Sequence, residues 1–446
     1  MTKGTRIGLA AAMLALSACG APVSGQWHAE QVQAHAVPQI TPTLTLQVSQ
    51  VPPQPVPGAA PMIEYDLRKP VQPAVQVAAS SRPTQEEEPA ETSQPPAEGQ
   101  AVPAMFTPGE FLGKPFEPGT FDQRTWYAGE TFYGSAIPTP VLVATGRNPG
   151  QTLCLTAAVH GDELNGIETV RRVMHQLDVE KLTGTVIGVP IVNLQGFQRH
   201  SRYLPDRRDL NRFFPGNTEG SSASRMAYSF FHEVIMHCDG LVDLHTGSFH
   251  RTNLPQLRAD LHNPDVVALT EGFGSTVILH SGGAEGTLRH AAVAAGIPAV
   301  TLEAGEPMRV HNEHVEHSVK GIFTLLDTLG MYNRRSLWGN PEPVYYTATW
   351  LRSDVGGILS SQARLGRRVK AGDLLGTVTD PITNEVSEVR SPHDGRIIGM
   401  ALDQFVMPGF AVYHVGLQAP MEAVTEDDPD APVDHSLAQV DNPEEH

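Results

Sequence analysis

The sequence predicts an α/β protein: a mixed, mostly parallel sheet with helices on both faces, followed by a small β-barrel-like domain. Two observations predict the sheet. Short apolar, β-branched runs recur between residues 141 and 303, and stretches of amphipathic helical period separate them. Strands that are apolar throughout and alternate with helices suit a sheet buried on both faces. A third observation predicts the β domain. After Trp338 the chain turns to short strands punctuated by glycine, the pattern of a small closed β structure.

Residues 1–18 read as a lipoprotein signal peptide. Lys3 and Arg6 precede the apolar run Ile7 to Leu16, which at about ten residues is too short for a bilayer core of roughly 30 Å. The run Leu16-Ser17-Ala18-Cys19 resembles the bacterial lipoprotein box. That resemblance implies lipidation of Cys19, membrane attachment through that lipid, and export to the cell envelope. Gly20 stands where inner-membrane retention usually shows Asp, which points to the outer membrane. Residues 19–105 hold 15 of the 37 prolines, a composition that makes an extended, disordered tether and not a core.

At the other end, residues 420–446 carry nine acidic side chains and no Lys or Arg, a disordered acidic tail. The whole chain has 31 Lys and Arg against 49 Asp and Glu, a net charge of −18, so half of that charge lies in the tail. The balance excludes a nucleic-acid binder, which needs a basic surface to neutralise phosphates. Three cysteines exclude a disulfide-built scaffold.

Residues 106–338 form the expected catalytic domain. Strands are predicted at 141–145, 152–159, 185–192, 240–246, 275–281 and 298–303, and helices at 165–177, 222–237, 264–272, 287–295 and 314–329. In open α/β sheets ligands bind beyond the carboxyl ends of the strands, so the residues that end these strands are the candidates. The strand at 152–159 ends in His160-Gly161-Asp162-Glu163, and that at 240–246 contains Asp243-Leu244-His245. Two histidines and a glutamate make a ligand set of catalytic zinc sites that leave one position open. Asp243 sits on the strand face of His245 and suits either a structural carboxylate or one that orients the imidazole. Glu303 ends the strand at 298–303 and suits a general base, with Glu306 as a competitor three residues on. His311, His314 and His317 repeat at helical spacing and read as a polar helix face more readily than as a second metal site. Between the ligand strands, residues 193–216 carry Arg199, Arg202, Arg207, Arg208 and Arg212. Guanidinium groups of that density suit a carboxylate or a developing oxyanion.

Five motifs in order resemble the zinc carboxypeptidase-like superfamily, and within it the succinylglutamate desuccinylase and aspartoacylase branch. They are HGDExxG (160–166), SRY (201–203), DLNRxFPG (209–216), DLHTG (243–247) and TLEAG (301–305). The resemblance implies one Zn²⁺ per chain on His160, Glu163 and His245, with Glu303 as general base and proton shuttle. It implies that Arg202 polarises the scissile carbonyl and that Asn211 and Arg212 bind the substrate carboxylate. The expected activity is hydrolysis of a linear amide, most simply the deacylation of a small N-acyl amino acid. A metallocarboxypeptidase acting on peptides or cell-wall fragments is the alternative, and a non-catalytic ligand-binding lipoprotein the second. Aspartoacylases place a further arginine shortly before the catalytic glutamate, where this chain offers only Arg289 in an unmatched register.

Residues 339–419 resemble the biotinyl/lipoyl-like β module of desuccinylase relatives. No lysine stands in a carrier-type hairpin, so the module is expected to shape or cap the substrate cleft. Cys154 and Cys238 can pair if their strands are neighbours, and are otherwise small buried apolar residues.

Overall fold

The computed structural model describes residues 109–130, 136–333, 344–421 and Val424. The expected signal peptide, Cys19, the tether and most of the acidic tail lie outside the described residues. Among the described residues, no helix is long and apolar enough to cross a membrane. The chain begins with β1 (Glu110–Phe111), β2 (Lys114–Pro115), β3 (Thr120–Glu130), β4 (Ala136–Thr145) and β5 (Asn148–Ala157). There follow α1 (Leu164–Gln176), β6 (Thr183–Val189), α2 (Leu194–Gln198), α3 (Ser222–Glu233), β7 (Gly240–His245), β8 (Arg251–Ala259) and α4 (Pro264–Glu271). Next are β9 (Val277–His280), α5 (Leu288–Ala294), β10 (Ala299–Gly305) and α6 (Asn312–Thr328). The C-terminal part is all β: β11 (Val344–Arg352), β12 (Gly357–Ser361), β13 (Arg368–Val369), β14 (Leu374–Thr379), β15 (Val386–Arg390), β16 (Gly395–Ala401), β17 (Phe405–Val406) and β18 (Ala411–Gln418).

The helices start where their sequences cap them. Ser221 accepts a hydrogen bond from the Ser224 N–H ahead of α3, Thr287 from the His290 N–H ahead of α5, and Asn263 precedes Pro264 in the first turn of α4. Each side chain satisfies an N–H that the helix itself leaves orphaned. In α1, Val170, Val173 and Met174 are buried, the i, i+3, i+4 stripe of a helix lying on a sheet.

Sheet side chains alternate between two cores. Leu153, Leu155 and Ala157 join Val242, Leu244, Val300 and Leu302 beneath α1, α4 and α6. Cys154, Leu241 and Ala299 face the opposite way, against α3 and α5. Helices therefore cover both faces. In the centre, β6, β5, β7 and β10 run parallel, while β3, β4 and β6 are antiparallel at one flank.

The parallel portion is narrower than the alternation of strands and helices predicts, because β8 inserts antiparallel beside β10. Its sequence, RTNLPQLRA, carries Pro255 in mid-strand, which argues against a central strand. The register between β8 and β10 shifts beside it, between Glu303 and Gly305, and such an irregularity is where a sheet tolerates proline.

The C-terminal strands do not stand apart from this sheet. β8 pairs with β9, β9 with β11, β11 with β18, β18 with β16, and β16 with β8. Those pairings close a five-stranded barrel to which the preceding α/β region lends two strands, β8 and β9. Val277, Leu279, Tyr346 and Ile398 form a small core of their own, with Leu254 and Val344 packed against it. A four-stranded sheet, in the order β15, β14, β12, β17, completes the C-terminal region.

Candidate metal centre and substrate pocket

Parallel β5 and β7 are direct neighbours, with Ala157 opposite Leu244, so the turn that follows β5 and the end of β7 meet at one sheet edge. His160 follows β5, Glu163 immediately precedes α1, and His245 ends β7. Gly161 lets this turn pack on the next segment, since a Cβ there would lie 2.2 Å from backbone atoms of Gly196 and Phe197. That close approach seats Arg202 beside the turn, where its carbonyl accepts the Gly161 N–H at 3.4 Å.

His160 Nδ1 lies 2.8 Å from Glu163 Oε1, His245 Nδ1 lies 2.9 Å from Glu163 Oε2, and the two Nδ1 atoms are 3.2 Å apart. All three residues are buried. Both imidazoles turn their other nitrogen to a carboxylate: His245 Nε2 to Asp243 Oδ2 at 2.7 Å, and His160 Nε2 to Asp209 Oδ1 at 3.1 Å. Thr156 Oγ1 donates to Asp243 Oδ1 at 2.7 Å, and the Thr246 N–H donates to Glu163 Oε2 at 3.0 Å. Carboxylates on the outer nitrogens fix ring orientation and aim the inner nitrogens together, as metal-ligating histidines require.

Electrostatics in the cluster favour an added cation. Burial would raise the Glu163 carboxyl, yet His160 and His245 hold it far below the usual range. Burial would lower His245, yet Asp243 and Glu163 hold it well above the ordinary histidine value. Burial and Arg202 oppose protonation of His160 as well, and Glu163 and Asp209 overcome both. Three carboxylates and the Arg202 guanidinium leave two negative charges when both imidazoles are neutral. A divalent ion balances that excess, and the donor set suits zinc. Among the described residues, the donor atoms of His160, Glu163 and His245 all lie within 4.8 Å of one another.

A cavity of about 440 Å³ opens in front of the cluster. Arg202, Asn211, Arg212 and Glu303 all line it beside the three donors. Arg202 bridges Glu163 Oε1 at 3.3 Å and Asp209 Oδ2 at 2.9 Å. Asn211 Oδ1 accepts the Leu288 N–H at 2.8 Å, which ties the cavity wall to α5. Arg212 Nη1 donates to the Asn211 carbonyl at 2.8 Å. Glu303 lies in β10, paired with His245 across the parallel ladder. Burial raises the Glu303 carboxyl above the usual carboxylate range, against the pull of Arg258 and His245.

Glu306 is absent from the cavity lining. Its Oε1 instead lies 2.7 Å from His311 Nε2. His317 lies 3.3 Å from the Thr276 hydroxyl, and His311, His314 and His317, at the start of α6, form no metal-holding group among the described residues.

Four cavity residues on β8 and β11 had no signal in the sequence. Arg251, Asn253 and Arg258 come from β8, and Trp350 from β11. Arg289 of α5 lines the wall and is bonded to the carbonyl and hydroxyl of Ser281. Burial, then the neighbouring Arg258, lower its guanidinium to about 10. Away from the cavity, Cys154 of β5 and Cys238 ahead of β7 are joined by a disulfide, with Cα atoms 5.7 Å apart.

This fold and pocket have known counterparts. Residues 149–329 match the succinylglutamate desuccinylase/aspartoacylase catalytic domain. The N-alpha-acetyl-L-2,4-diaminobutyric acid deacetylase of Halomonas elongata is 27% identical over 275 residues, spanning 58% of this chain and 80% of that protein. A succinylglutamate desuccinylase/aspartoacylase from Rhodobacter sphaeroides superposes with a TM-score of 0.60 at 23% identity, over 67% of this chain and 96% of its own. The product-bound ectoine utilization protein EutE (DoeB) from Ruegeria pomeroyi gives a TM-score of 0.60 at 24% identity, over 68% and 97%. The two structures establish likeness of fold.

Proposed function

We propose that the protein is a zinc-dependent amidohydrolase that removes the acyl group from a small N-acyl amino acid. The observation that carries this reading is the convergence of His160, Glu163 and His245, each histidine backed by a carboxylate, on a cavity that Glu303 also faces. The family of residues 149–329 and the named activity of the Halomonas elongata relative support it.

In this reading His160, Glu163 and His245 hold the Zn²⁺, and Asp209 and Asp243 keep the two rings aimed at it. Bound zinc supplies Lewis acidity, which polarises a carbonyl and acidifies water. Asn211 and Arg212 bind the carboxylate of the amino acid, and Arg202 offers its guanidinium to the carbonyl oxygen as charge develops there. A Glu303 carboxylate oxygen takes the proton of the attacking water and delivers it to the leaving amine. A carboxyl raised by burial is a stronger base than a solvated one, which suits that exchange. The walls supplied by β8 and β11 exclude water from the reacting groups.

The test is hydrolysis by the purified, zinc-loaded protein across N-acetyl and N-succinyl amino acids and short peptides. Release of free amino acid from the acyl series is expected. Cleavage confined to peptide C-termini would replace the reading with a carboxypeptidase, and inactivity on every compound would remove it.

We further propose that the enzyme is exported and held at the cell envelope, in the outer membrane, by a lipid on Cys19. The LSAC run behind a short apolar segment supports this. Cys19→Ser is expected to move the protein from the membrane fraction to the soluble fraction of expressing cells. Unchanged membrane retention would refute the anchor.

A further inference from the structure

We infer that Asn253 is a positioning residue for Glu303, and that strand β16 of the C-terminal region sets its orientation. The C-terminal β structure thereby helps to aim the general base. This inference rests on the reading of Glu303 as that base.

The Glu303 carboxylate is buried in β10, and rotation about the last bond of a glutamate is only weakly restrained by the chain itself. Two side chains of β8 restrain it. Asn253 Nδ2 donates to Oε2 at 3.1 Å. Arg258 Nε stands 3.6 Å from Oε1, a separation that supplies charge without a directional hydrogen bond. The Asn253 Nδ2–H bond is directional and ties the plane of the carboxylate to the Asn253 amide.

Asn253 in turn is held across the barrel seam. Its partner in the β8–β16 ladder is Gly399. A Cβ at 399 would lie 2.7 Å from Asn253 Oδ1, 3.2 Å from His414 Cβ and 3.5 Å from the Trp350 ring. A methyl group at 399 would press on the amide oxygen, and with the oxygen beside Gly399 the NH₂ group faces Glu303. The reverse orientation would set a carbonyl oxygen against a carboxylate. Asn253 is 3% exposed and its Oδ1 has no hydrogen-bond partner among the described residues. That cost is accepted at a position where the other end of the amide holds the base.

The experiment joins two double-mutant cycles in the full chain. In the first, Asn253→Leu, which keeps volume and loses the donor, and Asn253→Ala lower kcat by about tenfold to a hundredfold, the scale of a misplaced catalytic group. KM and zinc content stay near wild type. Gly399→Ala lowers kcat comparably in the wild-type background and adds little to Asn253→Ala. A near-wild-type kcat for Asn253→Leu, or additive effects of Gly399→Ala and Asn253→Ala, would overturn the inference.

The second cycle uses urea unfolding of Asn253→Ala, Glu303→Ala and the double variant, and needs no substrate. Asn253→Ala shifts the midpoint when Glu303 is present and much less when it is absent; equal shifts would overturn the inference. If no acyl amino acid is turned over, the proposed function fails, and this cycle alone decides whether Asn253 holds the carboxylate.

Discussion

Glu303 lies inside β10 and Glu306 immediately after it, and their surroundings give them different work. Glu303 faces the cavity between Asn253 and Arg258, while Glu306 is engaged by His311. Glu303→Gln is therefore expected to lose on the order of 10²–10⁴ in kcat, the usual contribution of a positioned acid–base group, while zinc content remains near one per chain. Metal analysis and initial rates on the same preparation check it, and full activity would return the base role to another group. The sequence makes His160, Glu163, His245 and Glu303 legible because each ends an apolar strand or opens the following turn, where side chains leave the core. It does not reveal that Asp209 buttresses His160, because that contact joins residues 49 apart through an irregular loop. Nor does it reveal Asn253, whose partners Glu303 and Gly399 lie on two other strands.

Strands β5 and β7 are the elements on which the proposed metal site depends, and they are fastened twice. At their carboxyl ends His160 and His245 meet across Glu163. Where the ladder between them begins, at Leu153 opposite Gly240, the disulfide from Cys154 of β5 to Cys238 just ahead of β7 ties the pair again, closing a loop with a sequence separation of 84. Loop-closure entropy for that length corresponds to about 4.5 kcal/mol, with measured native disulfides at about 2–5. Replacing both cysteines with serine is expected to lower Tm by roughly 5–15 °C, since each kcal/mol moves a domain of this size by a few degrees. The cross-link lies at the opposite end of the β5–β7 ladder from the proposed ligands, so the proposed zinc content at 25 °C should be retained. Calorimetry of the double variant and of the reduced wild type checks this, and an unchanged Tm in both would mean that the pair contributes nothing. Both strands were legible as apolar runs, and their adjacency turned two open cysteines into a bond. Strand β8 was not legible, because Pro255 interrupts its pattern and its burial depends on β10 and on β16, which lie far along the chain from it.

At the scale of the whole molecule, composition marks a boundary near residue 338 that the backbone does not respect. The glycine-rich text beyond it is β structure, but its barrel closes only through β8 and β9 of the catalytic region. Charge shows the same contrast between average and place. The chain carries −18 overall, yet the cavity is lined by Arg202, Arg212, Arg251, Arg258 and Arg289 against Glu163 and Glu303. An acidic protein thus presents a cationic pocket, the sign that suits a carboxylate-bearing substrate, and two of those arginines belong to the strand that the barrel shares. A chain ending at residue 338 would strip β11 from β9 and β16 from β8, leaving two hydrogen-bonding edges open and half of the Val277–Leu279–Tyr346–Ile398 core in water. Exposed strand edges beside an apolar surface drive association. The truncated chain is therefore expected to aggregate or to lose its cooperative unfolding transition. Size-exclusion chromatography and thermal circular dichroism check this against the full-length protein. A monomeric fragment with the parent Tm would mean that the barrel is a self-standing appendage and that β8, with Asn253 and Arg258, keeps its place without it.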